Sequence, residues 1–312
     1  MTKFMIVDGN SIGCRAALAF NPKLGKEDLK SKSGVPTGAV HRFFNLFIKL
    51  LNQFKPTHIA FAWDTDIHTF RKQLDASYKA NRQQKLDDSV TDMNRQFQII
   101  RLLLEKLGIH SVNVQGFEGD DIIGSFIRIS KADNNFIITG DRDSFQLVDD
   151  NTFVVFPKHG FKEFNIVNKQ YIQNNYELDV NQFIDLKMLQ GDMSDNIRGI
   201  DGCGPKMAIK LLHKFGSIDN IKEASIEEIQ KESNKRVAAN IEEWKSRVNM
   251  LKQLVTIRQD IKLPYTFDDC KIDQLYWEEI LSYIEELDMN QLSAKIRIGN
   301  LYLQGDEQLS LW

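Results

Sequence analysis

Nine acidic residues stand where metal chemistry would need them. Asp8 closes the apolar run KFMIVDG (3–9), Asp64 closes HIAFAWD (58–64), and Asp141 and Asp143 close FIITGDRD (136–143). Glu118, Asp120 and Asp121 crowd FEGDDIIGSF (117–126), just beyond SVNVQGF (111–117). Asp192 and Asp195 follow in QGDMSDN. A lone acid after a strand or at a helix start is an ordinary turn or N-cap residue. One carboxylate would satisfy the dipole at the start of an apolar helix, so three in four positions ask for another reason. Carboxylates crowded into one cleft raise each other's pKa, and bound cations relieve that strain. With no His or Cys in the set, the donors are hard oxygens, which select magnesium or manganese. So many acids suit two ions, about 3.5–4 Å apart as in two-metal phosphodiester sites.

The elements that must position these acids are legible. The four runs read as short strands, rich in Ile, Val and Phe. Between them lie the helical patterns VHRFFNLFIKLLNQF (40–54) and MNRQFQIIRLLLEKLG (93–108), the second with Gly108 as its C-cap. Strands alternating with helices predict an α/β fold: a mostly parallel central sheet with helices on both faces. In such sheets ligands bind at the carboxyl ends of the strands, where these acids lie. FVVFPKHGFKEFNIV (153–167) predicts a hairpin at the sheet edge. From about residue 170 the pattern turns mainly helical.

Composition narrows the class. The chain has 312 residues, 42% hydrophobic and 27% charged, as in ordinary globular proteins. No run of about 18 apolar residues is present, so no membrane partner is expected. The N-terminal MTKFMIVDGNS does not read as a signal peptide. Cys14, Cys203 and Cys270 are widely spaced, which points to a reducing, cytoplasmic location and away from structural zinc. The formal net charge is −3, and setting the nine acids aside leaves +6. A mildly basic surface around an acidic cleft suits a polyanionic substrate.

Two further stretches carry cations or glycines in useful places. FRKQLDASYKANRQQKLDDSV (70–90) holds Arg71, Lys72, Lys79, Arg82 and Lys85. On a helix Lys79 and Arg82 share a face, and the segment reads as a phosphate grip directly after Asp64. In NIRGIDGCGPKMAIKLLHKFG (196–216), Gly199, Gly202 and Gly204 punctuate a tight loop, Pro205 suits the first turn of a helix, and Gly216 its C-cap. Such a hairpin, with Lys206 beside it, grips a nucleic-acid backbone without reading sequence.

The motifs VDGNS, AWD, YKANR, EGDD, ITGDRDSFQL and QGDMSDNIRGIDGCGPKMA together resemble the 5′-nuclease family: flap endonucleases and the 5′→3′ exonuclease domain of bacterial DNA polymerase I. The resemblance covers roughly residues 3 to 300; Gly119 stands where the family often has Ala. It implies a PIN-like α/β core over 1–170, with a helical arch at about 67–95. It also implies a helical DNA-binding region over 171–303, with a helix–three-turn–helix at about 183–215. All nine acids would hold two divalent ions, directly or through water. Lys79 and Arg82 would contact the scissile phosphate, and Tyr78 would stack on an unpaired base. Potassium would bind the backbone carbonyls of Leu189, Gln190, Arg198, Ile200 and Cys203. The implied substrate is DNA with a 5′ flap or a 5′ single-strand/duplex junction, RNA–DNA primers included. Two alternatives stay open: a non-catalytic binder of branched DNA, and a PIN-like ribonuclease, which would lack the GIDGCGPK hairpin.

The last residues, GDEQLSLW (305–312), form a polar linker followed by Gln308, Leu309, Leu311 and Trp312. QLSLW resembles the bacterial sliding-clamp-binding motif, with Trp312 in place of Phe. A clamp would then be a partner; the alternative is a tail folded onto its own helices.

Overall fold

A computed structural model describes residues 1–18, 29–65, 69–81, 88–158 and 161–298, with 88–90 by main chain alone. Six strands form one sheet in the order β3-β2-β1-β4-β5-β6. These are β1 (Lys3–Asp8), β2 (His58–Ala62), β3 (His110–Val112), β4 (Asn134–Ile138), β5 (Thr152–Lys158) and β6 (Glu163–Val167). The first five pair in parallel, and β6 runs antiparallel to β5 at the edge, as the hairpin pattern predicts. Strand β3 is shorter than its alternating pattern suggests. Past Val112 the chain turns, and Gly116 takes a positive φ of 85°.

Helices cover both faces, which is why β1 and β2 read as unbroken apolar runs. The chain passes through α1 (Gly9–Ala17), α2 (Gly38–Phe54), the short α3 (Phe70–Leu74), α4 (Asp88–Lys106) and α5 (Gly119–Ile129). Phe43, Phe44 and Phe47 of α2 pack with Phe61, Trp63, Leu103 and Leu104 on one face. Ile122, Ile123 and Phe126 of α5 pack with Phe4, Ile6 and Ile137 on the other. Gly108, at φ 81°, ends the α4 turn by donating to Glu105 O at 2.9 Å.

A separate apolar cluster forms the helical half. It follows α6 (Lys169–Tyr176), whose buried Ile172 packs with the sheet, and is built by α7 (Gln182–Gln190), α8 (Pro205–Phe215), α9 (Ile218–Glu223), α10 (Ile226–Glu232) and α11 (Lys235–Val255). Leu189, Leu211, Leu212, Ile241 and Trp244 lie at its centre. The last helices, α12 (Trp277–Glu286) and α13 (Asn290–Arg297), do not join it. Trp277, Ile280, Ile284, Leu292 and Ile296 pack instead with Phe47 and Leu103 on the α/β core. After α11 the chain returns to the sheet.

The hairpin joining α7 to α8 is built on close backbone approach. Gly191 takes φ 75°, and a Cβ placed on it would lie 2.6 Å from Ile197 O. A Cβ on Gly199 would overlap Gly191 N and Leu189 O. Gly199 is buried, so its part is packing and not the DNA contact expected of it. Gly202, Gly204 and Lys206 are exposed, and a Cβ at Gly204 would meet nothing within 4 Å. Replacing Gly199 by Ala should cost about 1–3 kcal/mol, because backbone on both sides would have to move. A melting temperature equal to that of the parent chain would contradict this packing.

Candidate functional site

The sheet order reverses between β1 and β4, and a crevice opens at that point beyond the carboxyl ends of the strands. Its cleft, about 350 Å³, is lined by Asp8, Asp64, Glu118, Asp120, Asp141, Asp143 and Asp195, with Tyr78 and Lys79 at one side. Asp8 caps α1, accepting from Ser11 N at 2.9 Å, and accepts from Thr139 Oγ1 at 2.7 Å. Thr139 Oγ1 in turn accepts from Asp141 N at 3.0 Å, so one hydroxyl fixes two acids. Asp64 accepts from Gly119 N at 2.7 Å, and its own N–H donates to Asn10 Oδ1 at 2.8 Å. Asp141 accepts from Asp143 N at 2.9 Å. Asp192 lies beside this cleft. One oxygen each of Asp143, Asp192 and Asp195 can be chosen with all three within 4.8 Å of one another.

The donor set fits hard divalent cations on the protein's own terms. Asp120 Oδ1 is buried and has no hydrogen-bond partner among the described residues. Burial, followed by repulsion from Asp141, Asp8, Asp143 and Asp64, holds the Asp120 carboxyl well above its ordinary range. Burial pushes Asp8 up to about 7, and Asp64 and Asp141 add to the rise. An oxygen left unpaired among repelling carboxylates is a place for a cation.

Lys187, which the sequence reading passed over, sits among the helical half's acids. Its Nζ pairs with Asp143 Oδ2, lies 2.9 Å from Asp192 Oδ2 and 3.9 Å from Asp195 Oδ2. Burial lowers the affinity of Lys187 for its proton, but Asp143 and Asp192 more than restore it. Burial also pushes Asp143 up to about 6 despite Lys187. Asp192 stands at about 2, because Lys187 and the donors Ser194 and Asp195 N outweigh its burial. The available signal was a lysine inside an otherwise buried stretch, Leu186 to Leu189.

The geometry places four of the expected residues differently. Asp121 does not line the cleft. It is fully buried, and accepts from Arg71 Nη1 at 2.6 Å, Arg71 Nη2 at 2.7 Å and Arg258 N at 2.9 Å. Arg71, expected on DNA, is consumed by that pair. It also donates to Glu118 Oε2 at 3.3 Å, Leu254 O at 2.8 Å and Thr256 O at 2.9 Å. Tyr78, expected to stack on a base, is only 3% exposed. Its hydroxyl donates to Glu118 Oε2 at 2.9 Å and lies 3.3 Å from Asp195 Oδ2. Lys79 is not on a helix. It sits in a turn at φ 54°, its Nζ 3.0 Å from Glu118 Oε1. Arg82 and the clamp-like residues Gln308, Leu309, Leu311 and Trp312 lie outside the described residues. Lys72 is exposed on α3.

The hairpin lies on the same side, joined to the cleft through Asp192 and Asp195. Among the carbonyls expected to face potassium, Leu189 O accepts from Ile200 N at 2.8 Å, Ile200 O from Cys203 N at 3.0 Å, and Arg198 O from Arg247 at 3.2 Å. Each keeps a second lone pair.

Comparison with known proteins agrees with this architecture. Residues 3–177 match the family model "5′-3′ exonuclease, N-terminal resolvase-like domain", and 178–278 match "5′-3′ exonuclease, C-terminal SAM fold". The chain is 33% identical over 298 residues to DNA polymerase I of Lactococcus lactis subsp. cremoris, covering 94% of this chain and 33% of that protein. It is 32% identical over 309 residues to DNA polymerase I of Bacillus subtilis, covering 98% of this chain and 34% of that protein. The chain thus spans about a third of the length of these relatives. In fold it is similar to T5 5′-exonuclease with bound divalent zinc ions, at TM-score 0.65 and 20% identity, covering 95% of this chain and 98% of that one. It is also similar to the catalytic core of Rad2 in complex with DNA substrate, at TM-score 0.58 and 20% identity, covering 95% and 91%.

The carboxylate shifts predict how cations and pH act together on stability. Asp8 at about 7 and Asp143 at about 6 bind protons more tightly folded than at their ordinary 3.8. Their contribution therefore favours the folded state at low pH and is lost as pH rises through about 6–7. Asp192, held at about 2, acts in the opposite sense, but only below the ordinary 3.8. In EDTA the melting temperature should fall between about pH 5.5 and pH 8, and millimolar magnesium or manganese should raise it more at the higher pH. An equal gain at both values would mean that these carboxyls do not face the ion.

Proposed function

The chain belongs to the 5′–3′ exonuclease family, a family of metal-dependent nucleases, and on that premise we propose that it cuts DNA phosphodiesters near 5′ single-strand/duplex junctions. The observation that carries this reading is the cleft in which seven carboxylates from four strand ends and the helical half meet beside Lys79. Asp8, Asp64, Glu118, Asp120 and Asp141 would hold one magnesium or manganese ion, and Asp143, Asp192 and Asp195 a second. Ions held there would supply a water that is deprotonated near neutral pH and would offset charge on the phosphate. Lys79 would place its ammonium on the scissile phosphate, where charge grows as the water oxygen bonds to phosphorus and the 3′ oxygen leaves. The products would be a 5′-phosphate and a 3′-hydroxyl.

Gly202, Gly204 and Lys206 would hold the duplex backbone, with Lys72 on the arch side. A potassium ion at the carbonyls of Leu189, Gln190, Arg198, Ile200 and Cys203 would stiffen the same hairpin. The α7–α8 hairpin favours this reading over a PIN-like ribonuclease, and the dense acids favour it over a passive binder of branched DNA. The role would be removal of primers and flaps in replication and repair, in the cytoplasm. The sliding-clamp reading of Gln308, Leu309, Leu311 and Trp312 rests on their sequence alone. A docked clamp would raise the local concentration of nuclease on DNA.

Two experiments test these proposals. On a 5′-flap duplex the chain should cleave with magnesium and not with EDTA. Asp141→Asn should abolish cleavage while binding stays equal or tightens, since one anion fewer repels the phosphate. Binding lost in proportion to cleavage would contradict the assigned role. Deleting residues 308–312 should abolish binding to a bacterial sliding clamp and spare cleavage of free flap DNA. Full clamp affinity after deletion would end the docking proposal.

A further inference from the structure

The backbone of Lys79 is held by the hairpin loop as well as by the turn of its own segment. Its φ of 54° lies in the left-handed region, which a lysine enters less readily than glycine or asparagine. Lys79 N donates to Asp195 O at 2.8 Å. Asn196 Nδ2 donates to Ser77 O at 2.7 Å, and Asn81 Nδ2 donates to Met193 O at 2.8 Å. Residues 77–81 and 193–196 are thus laced together by these three hydrogen bonds to main-chain oxygens, and the Tyr78 hydroxyl reaches Asp195 Oδ2 at 3.3 Å as well. Asn196 is itself left-handed, at φ 56°, a conformation that asparagine tolerates well. Its backbone shape thus suits its residue type better than that of Lys79 does.

The lacing joins two parts with different tasks. Loop 191–204 continues directly into the hairpin expected to grip the duplex, and Lys79 is expected at the phosphate to be cut. We infer that Asn196 and Asn81 are positioning residues that lock Lys79 to the duplex-gripping hairpin. The distance from the seated duplex to the catalytic ammonium is then fixed by these two amides. Neither asparagine touches the reacting atoms in this account; each acts through the main chain beside Lys79. The inference rests on the nuclease reading above, and it adds how that site keeps register with its substrate. A misplacement on the scale of an ångström is enough to cost about a hundredfold in rate.

The test is a double-mutant cycle on the full chain with magnesium and a 5′-flap duplex. Asn196→Gly keeps the left-handed backbone and deletes only the amide. It should slow single-turnover cleavage by about 10–100-fold, with duplex affinity nearly unchanged, and it should spread cutting to neighbouring phosphates. In a Lys79→Ala background the same change should add little, because the group it positions is gone. Asn81→Ala, on an exposed side chain, should show the same pattern more weakly, and it carries the test if Asn196→Gly melts early. Equal losses with and without Lys79 would overturn the inference, as would a loss confined to duplex affinity or no loss at all. A parent chain without magnesium-dependent cleavage would overturn the nuclease reading and this inference with it. A Lys79→Ala chain cutting at the parent rate would remove the inference and leave the nuclease standing.

Discussion

Mutual repulsion of carboxylates is the constraint around which the rest of the molecule is arranged. Three buried or half-buried cations offset part of it. Arg71 takes Asp121 and shares Glu118; Lys79 takes the other oxygen of Glu118; Lys187 serves Asp143, Asp192 and Asp195. Among the described residues no lysine or arginine lies in ion-pair range of Asp8, Asp64, Asp120 or Asp141. Those four come from the ends of β1, β2 and β4 and from the start of α5. The uncompensated charge is therefore concentrated at the point where the sheet order reverses. There the fold leaves anions to be neutralised from outside, and it supplies backbone donors such as Ser11 N and Gly119 N to orient them meanwhile.

The Arg71–Asp121 pair shows how this region is held without spending a site acid. The guanidinium is buried, so all its donors must be met, and they are met by two segments distant in sequence from its own. Asp121 belongs to α5, Arg71 to α3, and the carbonyls of Leu254 and Thr256 to the exit of α11. Breaking one side of such a pair typically costs about 3–5 kcal/mol, because a buried charge is stranded. The start of the arch, the acidic helix and the helical half are therefore fixed to each other beneath the cleft.

Much of this was legible in the sequence, and the misses have physical reasons. Apolar runs, Gly108 and the Pro205–Gly216 pair define their elements locally, so strands, helices and hairpin could be read off. The sheet's parallel order followed from alternation alone. Asp120 and Asp121 could not be told apart. Successive residues on a helix point about 100° apart, so one faces the cleft and the other the core, and only the packing of α5 decides which. The helix rule failed for Lys79 because residues 77–81 form a turn that contacts 193–196, more than a hundred residues away. Tyr78 carries both a ring and a hydroxyl, and its chemistry alone did not say that the hydroxyl would find Glu118. Lys187 looked like one charge on a helix, whereas the anions that keep it buried are contributed by two other parts of the chain.

The site thus straddles two apolar clusters that pack separately. Most of its acids ride on the sheet, whose core is built by α2, α4 and α5. Asp192, Asp195 and Lys187 ride on α7 and its loop, which belong to the helical cluster around Trp244. Trp244 Nε1 donates to Met188 O at 2.9 Å, so the long helix α11 anchors the residue next to Lys187. Neither cluster alone assembles the Asp143, Asp192 and Asp195 group, because one carboxylate comes from the sheet side and two from the helical side. Lys187 bridges both contributions and screens their repulsion. Packing of the two halves against each other is therefore what brings these three carboxylates together. The acidic cleft is complete only where the α7–α8 hairpin is already in place.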